Sequence, residues 1–268
     1  MLIALFVVLV IILLYFYMIY PSVNRMDFSP FLKWDYAHRG LHDNNSDAPE
    51  NSLAAISKAV DNNYGIEFDV QLSKDGQTVV FHDFDLKRMC SIDKKIDQCD
   101  YDYLKECKLL ESIEGIPLLS EVLELVDGKI PLIVELKASN NDIEDLCKKV
   151  SLQLDKYDGK YVVESFNPVV VKWFRKHRPN YIRGQLSGSF VKKFNPLKFA
   201  LEYLMLNFLS RPDFIAYDHN NKSNLSLKLI KAIWPVPLVA YTVKNRESYV
   251  DNESFFDLII FEGFIPEK

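Results

Sequence analysis

Two acidic residues lie one residue apart in an otherwise apolar run, GIEFDVQL at residues 65–72. Side chains two apart on a β-strand point to the same face, so Glu67 and Asp69 share one face and Phe68 takes the other. Neighbouring carboxylates raise each other's pKa, and a divalent cation between them relieves the repulsion. The pattern therefore predicts half of a metal site.

A later run, IPLIVELK at residues 130–137, offers a third carboxylate. Glu135 and Lys137 are again two apart and share a face of the predicted strand. If the carboxyl ends of both strands lie at the same open end, or mouth, of a barrel, Glu135 completes a three-carboxylate cation site. Lys137 and Arg39 then lie nearby as fixed positive charges, which suits an anionic phosphate held against a metal.

Two histidines flank Glu67 and Asp69 in the sequence. His38 ends the run DYAH, and His82 follows TVVF beyond an SKDG turn. Phosphodiester cleavage needs one group to activate a nucleophile and another to protonate the leaving alkoxide, and histidine titrates in the right range for both tasks. A single strand-end histidine is more often structural, and a single Glu-x-Asp is often a surface pair. The ordered combination favours catalysis.

The elements that must position these residues form an alternating series. Short, β-branched runs that are apolar on both faces, as buried parallel strands are, alternate with amphipathic or loop segments. Eight such repeats predict an α/β fold, a TIM (β/α)8 barrel. The predicted strands are residues 35–39, 65–72, 130–136, 161–165, 182–186, 213–218, 237–242 and 256–261.

Three helices are predicted from apolar periodicity, over residues 51–63, 119–128 and 141–154. The second has Ser120 as its expected N-cap and Gly128 as its stop. Residues 86–115 are polar and irregular and read as an excursion between the second strand and its helix.

The first 21 residues carry no charge and are predicted to be a transmembrane anchor, since about 20 apolar residues span a bilayer as a helix. Tyr15, Tyr17 and Tyr20 suit the headgroup boundary. A cleaved signal peptide is the alternative, but no basic residue precedes the run and no small-x-small cleavage site follows it.

Residues 22–34 are predicted to be a tether and residues 35–268 the barrel. The first basic residues after the span are Arg25 and Lys33, and none precedes it. The positive-inside rule then favours a single-pass protein whose catalytic domain is cytoplasmic.

The overall composition excludes some classes of protein. Of the 268 residues, 49% are hydrophobic and the net charge is −5, so no basic surface for nucleic acid is expected. The four cysteines form no C-x-x-C pair and are predicted to be reduced thiols. A Cys90–Cys99 disulfide is the alternative.

One apolar segment is unusual for a loop after the fifth strand. Residues 190–212 are long and aromatic, and they are broken by Pro196 and Glu202. One interpretation is a helix packed on the barrel; the other is an interfacial helix or lid that touches a membrane near the mouth.

The motifs taken in order resemble the glycerophosphodiester phosphodiesterase family. They are HRG, PENS, GIEFDVQLSKDGQTVVFHD, IPLLSEVLELV, IPLIVELK, ESFNPVVVKWFRKHRP and AYTVKN. The resemblance covers residues 36–265. It implies a TIM barrel that hydrolyses glycerophosphodiesters to an alcohol and glycerol 3-phosphate with the help of Ca²⁺ or Mg²⁺.

The resemblance also implies residue roles. His38 and His82 become the acid/base pair, Glu67, Asp69 and Glu135 the metal ligands, and Arg39 and Lys137 the phosphate contacts. In the family's scheme, a glycerol hydroxyl of the substrate attacks phosphorus first and water then opens a cyclic phosphate. Further residues near the site or lining the pocket are Glu50, which is also a candidate for the metal shell, Asn51, Phe166 and Tyr241.

The sequence departs from the family pattern in three places. The insertion LHDNNSDA, residues 41–48, lengthens the first loop and is expected to shape access to the site. Tyr241 stands where Trp is common, and FEGFIP replaces a terminal Thr-Asp. No role is assigned to His42, Asp43, His177 and His219, which are expected at surface or loop positions.

Two other functions remain open at this point. The same barrel could act on lysophospholipids or on the ends of glycerophosphate polymers, which the anchor and the apolar segment favour. A catalytically silent, membrane-tethered binding module is the alternative of a different class, and the complete set of histidines and carboxylates argues against it.

Overall fold

The computed structural model describes residues 1–22, 26–139, 142–189 and 195–266. Within these ranges, eight parallel strands form a closed barrel, because the first of them pairs with both the second and the last. The TIM barrel predicted from the sequence is confirmed. All eight predicted strands are present, as β1 (Tyr36–His38), β2 (Gly65–Leu72), β4 (Leu132–Leu136), β5 (Tyr161–Ser165), β6 (Arg183–Ser187), β7 (Phe214–Asp218), β8 (Leu238–Val243) and β9 (Leu258–Phe261).

A ninth strand was not predicted. β3 (Thr78–Val80) pairs antiparallel with β2 and returns the chain to the mouth of the barrel, where the Phe81 amide donates to the Asp69 carbonyl. This hairpin carries His82 back beside the carboxylates of β2.

Helices cover the outside of the barrel. They are α1 (Leu2–Ile19), α2 (Leu53–Asp61), α3 (Lys87–Cys90), α4 (Tyr101–Leu104), α5 (Leu119–Val126), α6 (Ile143–Leu154), α7 (Pro168–His177), α8 (Pro196–Glu202), α9 (Asn207–Ser210), α10 (Leu225–Ile233) and α11 (Arg246–Glu253).

The three predicted helices correspond to α2, α5 and α6, but the predicted cap of α5 is wrong. Leu118 is the N-cap residue, and Ser120 lies inside the first turn. The Glu121 side chain accepts a hydrogen bond from the Leu118 amide at 2.7 Å, so an acidic side chain three residues on satisfies the helix start. The helix ends before Gly128, as expected.

The excursion at residues 86–115 contains α3, α4 and a short 3-10 turn over its own small core. All four cysteines are free thiols, so the Cys90–Cys99 disulfide is not formed. Three of them are buried, namely Cys99, Cys107 and Cys147.

The barrel interior is layered. Inward residues at the lower end of the strands are apolar, among them Ile133, Val162 and Ile260. Phe28 and Phe31 of the tether pack below this layer and close the bottom. The register places Glu67 beside Ile133 at the edge of this layer and Asp69 two residues higher, level with Glu135, which is in turn level with Glu164. Carboxylates therefore stand on an apolar floor at the mouth.

α1 is the one helix in the described ranges that is long and apolar enough to cross a membrane. Its last turns pack on the barrel, and Ile19 is fully buried. The predicted tether includes residues 23–25, and the predicted apolar segment includes residues 190–194; both stretches lie outside the described residues, and so does Arg25. The rest of that segment forms α8 and α9, and α9 packs against α7 and α1.

Candidate active site

Three carboxylates meet at the mouth of the barrel. One oxygen each of Glu67, Asp69 and Glu135 lies within 4.8 Å of the others, and all three side chains are buried. All three residues occupy inward-facing positions of β2 and β4, and because these strands pair, their side chains come together. This is the cluster that the spacing predicted.

The cations expected near the cluster are there. Lys137 Nζ lies 3.2 Å from Glu135 Oε1 and 3.6 Å from Asp69 Oδ1. Arg39 Nε lies 3.4 Å from Asp69 Oδ2. Arg39 has a positive φ of 56°, an uncommon backbone conformation for this residue type that turns the chain at the end of β1.

The buried carboxylates of the cluster repel one another, so added positive charge would stabilise their ionised forms. Burial, reinforced by the charges of Asp69 and Glu135, raises the pKa of Glu67 well above its usual value. Burial also raises the pKa of Glu135, to about 7. Burial opposes ionisation of Asp69 as well, but Lys137, His82 and Arg39 hold its pKa below its ordinary value.

The donor set fits a hard divalent cation. It consists of carboxylate oxygens, the ligands that Ca²⁺ and Mg²⁺ prefer. Asp69 Oδ1 is buried and makes no hydrogen bond, although Lys137 Nζ lies 3.6 Å from it as an ion-pair neighbour. Such an atom normally has a partner, so its position beside two other carboxylates suits a coordinating role.

The two histidines flank the carboxylates. His38 Nε2 lies 3.8 Å from Glu67 Oε2. Both His38 and His82 line one cavity of about 130 Å³ together with Arg39, Glu67 and Glu135. Burial lowers the pKa of both imidazoles, which favours their neutral forms near pH 7.

Each imidazole has a carboxylate partner on Nδ1. Glu262 Oε2 lies 2.7 Å from His38 Nδ1, and Asp83 Oδ1 lies 2.5 Å from His82 Nδ1. Because an imidazole whose Nδ1–H donates to a carboxylate keeps Nε2 as its lone-pair nitrogen, both rings can present Nε2 to the cavity. The sequence reasoning missed Glu262, although it lies in the FEGFIP segment that was noted only as a departure.

A fourth buried carboxylate also lines the cavity. Glu164 of β5 is 2% exposed, and its Oε2 makes no hydrogen bond. Burial, with the charges of Glu135 and Asp69, raises its pKa well above the usual value. The sequence did contain a signal for Glu164. In the strand YVVES it occupies an inward-facing position, as Glu135 does in the neighbouring strand.

Glu50 lies behind Arg39 rather than among the clustered carboxylates. Its Oε1 accepts from Arg39 Nη1 at 2.6 Å and from Arg88 Nη2 at 2.7 Å. Asn51 Nδ2 donates to Asp69 Oδ2 at 2.9 Å, so the PEN motif orients both a cation and a carboxylate of the site.

The aromatic residues expected at the pocket are also in place. Phe166 and Tyr241 line the cavity, with ring centroids 5.9 Å apart in an edge-to-face arrangement. The Tyr241 hydroxyl donates to the Ser187 carbonyl at 2.6 Å, which fixes the ring against β6.

The residues without an assigned role divide into two groups. His177 and Asp43 are exposed, as expected. His219 lies in the turn after β7, a loop position as expected, but it is buried rather than at the surface, with Nδ1 3.1 Å from Asn252 Nδ2. His42, in the inserted loop, approaches His38 and Glu262. The insertion folds beside the site, and Asn44 Nδ2 donates to Glu50 Oε2 at 2.9 Å.

Comparison with known proteins agrees with this geometry. The profile of the glycerophosphoryl diester phosphodiesterase family matches residues 38–261. A glycerophosphodiester phosphodiesterase of Bacillus altitudinis is 33% identical over 54% of this chain, and the match spans 62% of that relative. Glycerophosphodiester phosphodiesterase 1 of Bos taurus is 27% identical over 87% of this chain and 77% of its own length.

Solved structures share the fold. An Oleispira antarctica phosphodiesterase, solved with the product sn-glycerol-3-phosphate, superimposes with a TM-score of 0.71 at 24% identity, over 87% of this chain and 94% of that one. A glycerophosphodiester phosphodiesterase from Thermotoga maritima gives 0.66 at 24% identity, over 85% and 94%. The family match covers most of the sequence and includes every clustered carboxylate and both histidines, so this chain belongs to the glycerophosphoryl diester phosphodiesterase family.

Proposed function

We propose that this protein hydrolyses glycerophosphodiesters to an alcohol and sn-glycerol 3-phosphate, with a divalent cation at the mouth of its barrel. The convergence of Glu67, Asp69 and Glu135 within 4.8 Å, beside two histidines in one cavity, carries the proposal. The family match and the names of the relatives support the substrate class.

In this proposal, Glu67, Asp69 and Glu135 hold Ca²⁺ or Mg²⁺, which when bound polarises a phosphoryl oxygen. Arg39 and Lys137, both within 4 Å of Asp69, bind the remaining phosphate oxygens. They fix the diester with its phosphorus between the two imidazoles.

The histidines move the protons. Nε2 of one takes a proton from the attacking hydroxyl, which is the neighbouring glycerol hydroxyl or water. As the bond from phosphorus to the leaving alcohol breaks, the other imidazole, protonated on Nε2 at this stage, donates that proton to the departing oxygen. Where the glycerol hydroxyl attacks, water then opens the cyclic phosphate with the two imidazoles in exchanged roles and releases sn-glycerol 3-phosphate. Phe166 and Tyr241 supply flat apolar walls for the organic part of the substrate.

The test is product analysis on the full-length protein in detergent with glycerophosphocholine, glycerophosphoethanolamine and glycerophosphoinositol. We expect sn-glycerol 3-phosphate and the free alcohol, and His38→Ala and His82→Ala should each lower turnover by about 10²–10⁴-fold. His177→Ala, at an exposed position, is the matched control and should leave turnover unchanged. Absence of glycerol 3-phosphate with every head group, or full activity of both active-site variants, would contradict the proposal.

A lysophospholipid is a second candidate substrate. A human lysophospholipase D is 29% identical over 53% of this chain. Turnover of lysophosphatidylcholine at a higher kcat/KM than glycerophosphocholine would favour this candidate over the water-soluble diester.

We also propose that α1 is a retained single-pass membrane anchor, with the barrel on the cytoplasmic side. Its end makes specific contacts that a cleaved peptide would forfeit. Asn207 Nδ2 donates to the Ile19 carbonyl at 3.1 Å, and Arg211 Nη1 donates to the Tyr20 carbonyl at 2.7 Å. Intact mass of protein extracted from membranes should retain residues 1–20; a mature chain that begins after Tyr20 would contradict the anchor.

A further inference from the structure

We propose that the mouth of the barrel rests on the lipid bilayer that holds α1, so that the active site opens directly onto the membrane surface. The occupant of this docking surface is the bilayer itself. The inference rests on the proposed membrane anchor and concerns how the site is presented to its substrate.

The contacts of α1 fix its direction along the barrel. The Tyr15 hydroxyl lies 2.7 Å from Ser226 Oγ, in the first turn of α10, which begins at the mouth end because it follows β7. Tyr20 packs on Trp234, at the other end of α10, and the Ser22 amide donates to the Pro212 carbonyl just before β7 begins. From Tyr15 to Ser22 the chain therefore runs from the mouth end toward the bottom.

Because α1 runs toward the bottom, its earlier residues extend past the mouth end. Leu5, Leu9 and Leu13 are each more than half exposed, and the other residues of this stretch are exposed as well. The part of the helix that makes no contact with the barrel thus projects beyond the same end that holds the catalytic residues.

The length of this projecting part draws the barrel to the membrane. Residues 2–14 make a helix of about 20 Å, whereas the hydrocarbon core is about 30 Å thick. To span it, the bilayer must reach the level of Tyr15–Ile19, where α1 already lies against α9 and α10, or it must thin locally. Both outcomes leave no thick water layer between the mouth and the headgroups.

Exposed apolar side chains mark the mouth end. Leu197 of α8 is 62% exposed, Leu225 at the start of α10 59%, Phe84 beside His82 52% and Val169 at the start of α7 47%. Each belongs to a segment that follows a barrel strand or the β3 hairpin, and these segments face the same way as the projecting helix. Apolar groups in this position suit insertion at the lipid headgroup boundary.

The opposite end exposes fewer apolar side chains, namely Leu32 (44%) and Ile233 (48%). Its connections between helices and the next strands expose charged residues, among them Lys33, Asp61, Asp127, Lys156 and Asp158. The mouth end exposes charged side chains too, among them Asp85, Lys87 and Lys198, so the projecting part of α1 and the more exposed apolar groups are what favour the mouth for contact with lipid.

The test uses the full-length protein in phosphatidylcholine vesicles, with an environment-sensitive fluorophore on a single introduced cysteine. One variant carries Leu197→Cys and the matched control carries Lys156→Cys, both in a Cys90→Ser background because the other three thiols are buried. Nitroxide-labelled lipids should quench the label at position 197 at least several-fold more than the label at position 156. Equal quenching, stronger quenching at position 156, or failure of the protein to float with the vesicles would overturn the proposal.

A functional measurement separates this proposal from the proposed reaction. Leu197→Glu combined with Leu225→Glu should lower turnover of lysophosphatidylcholine in vesicles by at least about tenfold, while turnover of soluble glycerophosphocholine stays within about twofold. Leu152→Glu, at an apolar position on α6 that is 47% exposed and lies away from the mouth, is the control. Equal effects of the two variants on vesicle turnover would overturn the docking proposal. If the wild-type protein released no glycerol 3-phosphate from the soluble diester, the proposed reaction would be contradicted instead.

Discussion

Each candidate catalytic residue depends on a second residue that holds it in place. His38 is paired through Nδ1 with Glu262, Arg39 is held by Glu50, and Asp69 accepts from Asn51. These supporting groups keep the reacting atoms aimed at the cavity, and precise aim is what a catalytic site requires.

Glu262→Gln tests one of these supports. The carboxylate, whose pKa is held at about 2 mainly by its hydrogen bond to His38, fixes the tautomer that leaves Nε2 free. Because an amide can orient the ring in either sense, we expect kcat to fall by about 10–100-fold with little change in KM. Lys244→Met removes the exposed cation on the other Glu262 oxygen and is the control. A variant that loses affinity and keeps its kcat would show that Glu262 serves binding instead.

Glu50→Gln tests the buried ion cluster and its pH dependence. Burial opposes ionisation of Glu50, but hydrogen bonds and charges from Arg88 and Arg39 hold its pKa well below the usual value. Its stabilising contribution is therefore present above the unfolded-state pKa of about 4.3 and is lost as pH falls through the folded-state pKa. We expect Glu50→Gln to destabilise the protein by about 2–3 kcal/mol at pH 7, since a buried charged partner is removed. Thermal melts should show the difference narrowing toward pH 3; a constant difference would argue against an ionised Glu50.

Strand parity explains why some site residues could be predicted from sequence and others not. Glu67, Asp69 and Glu135 stand out because they interrupt apolar strands on one face. Glu164 follows the same rule and could have been found, but Glu262 and His42 lie in loops, where no periodicity says which way a side chain points. The proximity of Glu262 to His38 depends on the pairing of the first strand with the last.

At the scale of elements, the barrel strands could be predicted because burial on both faces makes them apolar throughout. The short strand β3 could not be predicted. β3 has three residues and no pattern of its own, yet it positions His82. The start of α5 was misplaced because Ser120 is a better cap by type, whereas Glu121 satisfies the Leu118 amide from inside the helix.

The docking of α1 on α9 and α10 is an element-scale property with a measurable energy. Asn207→Ala removes the donor to the Ile19 carbonyl inside a fully buried contact. We expect a loss of about 1–3 kcal/mol in the unfolding free energy, measured by denaturant titration of the full-length protein in detergent. Asn45→Ala, at an exposed loop position, should have no effect. Equal unfolding free energies of the two variants would show that the α1 contact does not contribute to stability.

At the scale of the whole molecule, closure of the barrel assembles the site from distant parts of the chain. β1 brings His38, β2 and β4 bring the carboxylates, and the end of β9 brings Glu262 to one mouth. The apolar floor beneath keeps the carboxylates in a low-dielectric setting, so their mutual repulsion is strong and a cation between them would be held firmly. The tether completes this floor with Phe28 and Phe31, which sequence composition alone did not indicate.

The most direct test of the account is the dependence of glycerol 3-phosphate release on free Ca²⁺ or Mg²⁺, measured with the full-length protein and with Glu67→Gln. The wild-type protein should lose activity in chelator and regain it on adding one of the two ions, with a saturable response. Glu67→Gln should need much more cation or stay inactive while keeping its fold by circular dichroism. Undiminished activity of the wild-type protein in chelator, or a wild-type cation response in Glu67→Gln, would contradict the account.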